Sequence, residues 1–293
     1  MSLSPAHKKI LVTAAPIIFV LLWSTGFIGA KMGMPHAEPF TFLAIRFVLA
    51  SALFILILIV MRVPWPRAPI IWLHASVVGI LMQGIYLCGV FYAVYHGTSA
   101  GISALIVGVQ PVLTAIFAGL LLSERLSGKA WFGLVLGFVG IVLVLWRQAG
   151  DTGGMAGIIA CVASLIAITA ATLYQKHYAT GIDLRVGSAI QFAAAAALMW
   201  VMALAAGETM IIDWNGESIF AMVWLVLVLS IGAITLLYIL IRQGAASKVA
   251  SLFYLVPPVV AVEGYLLFDE ILSPMALLGM GITVIGVALV TRG

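Results

Sequence analysis

What this sequence has least of is charge. Only 8% of its 293 residues are Asp, Glu, Lys or Arg, where a soluble globular chain carries roughly 25%. With 64% hydrophobic residues and a mean hydropathy of +1.24, the chain reads as a polytopic membrane protein. Cysteine is scarce too. Cys88 and Cys161 both lie inside apolar runs, which excludes a disulfide framework and leaves no Cys/His spacing for zinc. His7, His36, His74, His96 and His177 are scattered, so neither a metal site nor a cofactor is expected. There is no His-Glu-x-x-His, no Gly-x-Ser-x-Gly and no Walker loop, so zinc-bound water, a nucleophile elbow and a phosphate cradle all lack a carrier. Without an ATP-binding loop, any work the protein does would be passive or driven by an ion gradient. The pI near 9.2 is explained by basic residues in cytoplasmic loops, and no nucleic-acid partner is expected.

What the chain does have is apolar runs. They fall at about 10–30, 41–61, 69–94, 99–122, 130–146, 155–175, 186–206, 218–241, 246–268 and 275–291, each near the ~20 residues that cross a bilayer core as a helix. Helices are the reading because lipid leaves no partner for an open strand edge. The first run follows His7-Lys8-Lys9 and ends without a convincing cleavage site, so it reads as a retained helix. With the N-terminus in the cytoplasm, eleven Lys/Arg fall in inner segments and two, Lys31 and Arg147, in outer loops, a strong positive-inside bias. The predicted fold is all-α, with ten transmembrane helices and both termini cytoplasmic.

The runs repeat. At a spacing of 146, Ala100 matches Ala246, Pro111 Pro257, Glu124 Glu270, Ser127 Ser273, Gly133 Gly279 and Gly140 Gly286. Upstream, at 145, Ala44-Ile45-Arg46-Phe47 aligns with Ala189-Ile190-Gln191-Phe192. The units are 1–147 and 148–293. Five helices per unit is an odd number, so the halves would cross the membrane in opposite senses. Inverted-topology repeats are a signature of secondary transporters, with the substrate site at the repeat interface.

Phe91-Tyr92-Ala93-Val94-Tyr95 with Thr98-Ser99-Ala100, the helix with Pro111 closing on Glu124-Arg125-Leu126, and the Gly133/Gly140 helix resemble the drug/metabolite transporter superfamily. They look most like its EamA-type ten-helix exporters, over essentially the whole chain. Trp23-Ser24 and Arg46 also fit. The resemblance implies export of amino acids, other metabolites or cationic drugs across the cell (inner) membrane, by a monomer or homodimer.

Several residues are candidates for that function. Pro111 and Pro257, with Pro258, fall near the centres of their helices. Each removes a backbone donor and clashes four residues back, so they are hinge or packing kinks. Trp23, Gln83, Tyr86, Gln110, Ser251 and Tyr254 are the candidate substrate-binding residues; each alone is also explicable as interhelical glue. Gly133, Gly137 and Gly140, with Gly279 and Gly286, read as close-packing scaffold or a dimer face, and Ser127 and Ser273 as N-caps.

Glu263 and Arg46 are the charges placed inside spans. They are read as separately solvated, as an outer ion pair, or with Glu263 binding a proton for coupling. An apolar, aromatic cavity favours amino acids with apolar or aromatic side chains. A cationic-drug exporter would want a deep carboxylate, for which Glu263 alone is available. A nucleotide-sugar or phosphate-ester carrier would want several intramembrane cations. A lipid-processing enzyme would need clustered His or Asp.

Overall fold

In the computed structural model, residues 5–98, 100–145, 154–268 and 273–292 are described. Ser99, Arg147 and Glu270, all named in the sequence reading, lie outside them. Among the described residues, nine helices are long and apolar enough to cross a bilayer: α1 (Ala14–His36), α2 (Pro39–Val60), α3 (Pro69–Tyr95), α4 (Ile102–Leu121), α6 (Gly154–Ala179), α7 (Leu184–Ala206), α8 (Gly216–Gln243), α9 (Ala246–Leu267) and α10 (Pro274–Arg292). Between α4 and α6 lies α5 (Gly128–Val144), apolar but shorter.

Helix starts follow local chemistry. Proline opens α2, α3 and α10, where its missing N–H costs nothing and its fixed φ suits the first turn. Asn215 and Ser218 form a capping box at α8. Ser127 Oγ accepts from Ala130 N at 3.1 Å, and Ser273 Oγ accepts from Ala276 N at 3.1 Å, as their repeated position predicts. Two starts are capped from far away. Glu124 accepts from Ala246 N (2.7 Å), Ser247 N (3.2 Å) and Ser247 Oγ (2.7 Å) at α9. Glu208 accepts from Phe40 N (3.0 Å), Thr41 N (2.6 Å) and Thr41 Oγ1 (2.6 Å) at α2. Each carboxylate satisfies donors that would otherwise be bare and sits at the positive end of a helix dipole.

Packing carries the repeat into space. The tightest pair is α5 against α10. A Cβ on Gly133 would lie 2.7 Å from Gly286 O, and one on Gly140 would lie 2.6 Å from Thr283 N and 2.8 Å from Gly279 O. The small residues bring the backbones together, as tightly packed membrane helices require. Residue numbers rise along one helix as they fall along the other, so the pair is antiparallel. Gly133 meets the repeat-mate of Gly140, and Gly140 meets the repeat-mate of Gly133. That reciprocity is the mark of a two-fold contact. α2 and α7 behave alike: the repeat-mates Phe47 and Phe192 touch, with ring centroids 5.9 Å apart. α1 packs on α8 and α9, while its mate α6 packs on α3 and α4.

The repeat extends to the irregularities. α3 is π-helical over Ile80–Leu87 and α8 over Leu225–Ala233, and a spacing of 146 superposes them to within a residue. α4 is interrupted at Gly108–Val109 and α9 turns 3-10 over Leu252–Leu255. Pro111 and Pro257 then stand in the first turn of the segment that follows each break. The missing donors fall where the helix restarts.

Candidate substrate cavity

The π segment of α3 carries Gln83 and Tyr86 inward. π segments locally widen the helix and are frequent at functional sites. Tyr86 stacks on Trp23 of α1, with centroids 6.3 Å apart and planes 10° from parallel. Trp23 meets Phe253 edge-on at 5.2 Å and 85°, and Phe19 lies 5.3 Å from both. Phe19 and Trp23 are four apart and therefore on one face of α1. Phe253 is offered by the 3-10 stretch of α9. The result is a continuous aromatic wall.

Arg46 of α2 completes the site. It is 2% exposed and lines a cavity of ≈ 30 Å³ together with Trp23, Gly26, Tyr86, Phe91 and Leu229. That volume holds about one water, so the cavity has no room for a solute in this conformation. The guanidinium carbon lies 5.7 Å from the ring centre of Phe47, and Nε is buried without a hydrogen-bond partner. A buried charged donor left bare is expensive and calls for an anionic group. Gln83 is fully buried; its Nε2 donates to Tyr238 Oη at 3.3 Å, and its Oε1 has no partner. Two unmet polar demands therefore sit beside the aromatic wall.

The sequence expected more residues here than the structure assembles. Gln110 Nε2 donates to Thr114 Oγ1 (3.2 Å) on its own helix and to Thr172 Oγ1 (3.5 Å) on α6. Its polar stripe therefore joins α4 to α6. Ser251 turns back onto Lys248 O at 2.7 Å. Tyr254 is buried with its ring against Gly137, and its hydroxyl is unpartnered. Arg46 and Glu263 form no ion pair. Glu263 is bonded instead to Ser24 Oγ at 2.6 Å, on the α1–α9 contact, and it does not line the cavity of Arg46. α1 meets the two charges through different residues, Trp23 lining the cavity of Arg46 and Ser24 bonding Glu263.

Phe19, Phe253 and Tyr238 were missed. The first had a signal in its four-residue spacing to Trp23. Phe253 had none, because its position depends on the local break in α9.

Long apolar helices packed around buried polar groups define an integral, multi-pass membrane protein. The chain belongs to the EamA-like transporter family, whose model matches residues 10–146 and again 155–292. It is 24% identical over 279 residues to "Uncharacterized transporter YvbV" of Bacillus subtilis, covering 92% of this chain and 88% of that one. It is 26% identical over 276 residues to "Uncharacterized inner membrane transporter YedA" of Escherichia coli K12, covering 93% and 88%. Over 161 residues, about half of each chain, it is 24% identical to a "Probable amino-acid metabolite efflux pump" of Salmonella typhimurium. A crystal structure 22% identical in sequence superposes with a TM-score of 0.77 over 96% of both chains, which establishes the shared fold.

Proposed function

We propose that this protein is a secondary exporter of small zwitterionic metabolites, foremost amino acids with apolar or aromatic side chains. It works by alternating access between two inverted repeats. The observation that carries the reading is Arg46: a buried guanidinium with a bare Nε beside the aromatic wall of Trp23 and Tyr86. Arginine recognises a carboxylate through directed, charge-assisted donors, and the aromatic wall suits an apolar or aromatic side chain. The antiparallel, reciprocal α5–α10 contact supports halves that cross the membrane in opposite senses. The eleven-to-two loop bias supports cytoplasmic termini, and the printed names of two relatives support an inner-membrane exporter. Rocking of one half against the other about the breaks at Pro111 and Pro257 would open the cavity.

A cationic substrate is the second reading, since an aromatic cage also attracts ammonium groups. It is disfavoured because, among the described residues, the one charged group lining the cavity is the cation Arg46. Purified protein in liposomes, preloaded with unlabelled phenylalanine, should draw in labelled phenylalanine by counterflow. Leucine should compete and tetraphenylphosphonium should not. Competition by the cation alone would overturn the amino-acid reading.

A further inference from the structure

Glu263 has no part in the cavity, yet it is built into a contact that the cavity depends on. It sits in the outer half of α9 against α1. Its Oε1 lies 2.6 Å from Ser24 Oγ, and Oε2 is buried with no partner. Ser24 is fully buried, and its Oγ also lies 2.8 Å from Leu21 O, one turn back on α1. The carbonyl can only accept, and a serine hydroxyl has one proton to give. Leu21 O and Glu263 therefore compete for it: with the proton on Glu263 the carboxyl can be ionised, and with the proton on Leu21 O the short contact to Glu263 requires a proton from the carboxyl group.

The surroundings agree. α1, α4, α5 and α10 pack on this half of α9. The titratable side chains they and α9 carry among the described residues are Lys31, His36, Lys129, Lys248, Tyr254, Tyr265 and Arg292, and none of them satisfies Oε2. An ionised carboxylate would hold one bare oxygen inside a membrane protein, where a charge needs a partner or water. A neutral acid needs far less.

From this juxtaposition we propose that Glu263 and Ser24 form a proton-binding site, occupied in this conformation, that couples export to the proton gradient. The substrate half of the idea rests on the function proposed above. When the proton leaves, Ser24 must turn its hydroxyl from Leu21 O to the carboxylate, because among the described residues it is the carboxyl group's one hydrogen-bond partner. The turn is made on α1, one residue from Trp23 of the aromatic wall, so the state of the acid is felt at the cavity. Hydroxyl back-bonds of this kind bend helices, and losing one changes the course of α1 where it lines the site.

Two measurements on the whole protein in liposomes test this separately. Infrared difference spectra between acid and alkaline medium should show a protonated-carboxyl band in the wild type that is missing in Glu263→Gln. Glu263→Gln should keep labelled phenylalanine counterflow but lose at least tenfold in the accumulation driven by an imposed pH gradient. Persistence of the band in Glu263→Gln, or full gradient-driven accumulation by it, would overturn the proposal. Wild type that shows the band but no phenylalanine counterflow sinks the amino-acid reading and leaves the proton site standing. If Glu263→Gln fails to insert, Ser24→Ala decides. It should retain counterflow and lose phenylalanine-driven proton movement, whereas wild-type proton movement in that variant would refute the coupling.

Discussion

The α5–α10 seam and the aromatic cavity were built by the same duplication and kept it differently. At the seam each glycine meets the repeat-mate of the other: Gly133 meets Gly286, the mate of Gly140, and Gly140 meets Gly279, the mate of Gly133. At the cavity the mates diverge. Arg46 stands opposite Gln191, Trp23 opposite Ile168, Tyr86 opposite Gly232 and Gln83 opposite Leu229, at spacings of 145 or 146. Backbone devices such as the breaks, the π segments and the serine caps remain two-fold, because packing two copies about one axis demands it. Binding a single asymmetric solute makes no such demand, so the chemistry settled on one copy.

The sharpest way to break this contrast is at the seam. Gly140→Leu would drive a side chain into the backbone at Gly279 and Thr283. Overpacking against atoms that cannot yield should cost about 3 kcal/mol or more, seen as loss of a monodisperse peak and of the thermal transition in detergent. Gly281→Leu is the control, since a Cβ there meets nothing within 4 Å. Equal tolerance of both would mean that the seam is not what holds the halves together.

At the cavity, exchanging mates should matter for transport and not for folding. Arg46→Gln copies the residue found in the other repeat and removes the proposed carboxylate anchor. A charge-assisted hydrogen bond is worth about 1.5–3 kcal/mol, so phenylalanine affinity in counterflow should fall by about 10- to 100-fold. Gln191→Met should leave it near wild type. Arg46→Lys should recover little, since an ammonium lacks the planar fork. If Gln191→Met proves the more damaging, the site has been placed in the wrong repeat.

The smallest effect expected is outside both regions. Asp183 caps α7 by accepting from Arg185 N at 2.9 Å, and the Arg185 guanidinium bonds it at 2.7 and 3.1 Å. The guanidinium bond, more than the backbone one, holds the Asp183 carboxyl below its usual range. A depressed folded value means the contribution is present above the unfolded value of about 3.9 and fades as pH falls through the folded one. With the carboxylate 40% exposed, screening limits this to a few tenths of a kcal/mol. Asp183→Asn should melt slightly below wild type at neutral pH, and the gap should close in acid. A gap that widens in acid would reverse the assignment.

Much of the molecule could be read without coordinates. Low charge and ten apolar runs define a helical membrane protein, because unpaired backbone is not tolerated in lipid. The glycine spacing gave the close helix pair, Ser127 and Ser273 the caps, and Pro111 and Pro257 the two interruptions. All of these depend on residues near one another in the chain, or on a period that survives duplication. The cavity did not follow the same logic. Gln110, Ser251 and Tyr254 have the chemistry of a binding site and face other neighbours. Phe253 joined the wall because α9 turns 3-10 there. Glu263 went to Ser24 instead of Arg46. Which face of a helix meets which partner is set by rotation about the helix axis, where each residue adds about 100° and each π or 3-10 turn shifts the phase. The sequence by itself determined the apolar helices, nine of them of spanning length among the described residues, and the close-packed glycine pair. Only the packed bundle decided which polar groups share one space.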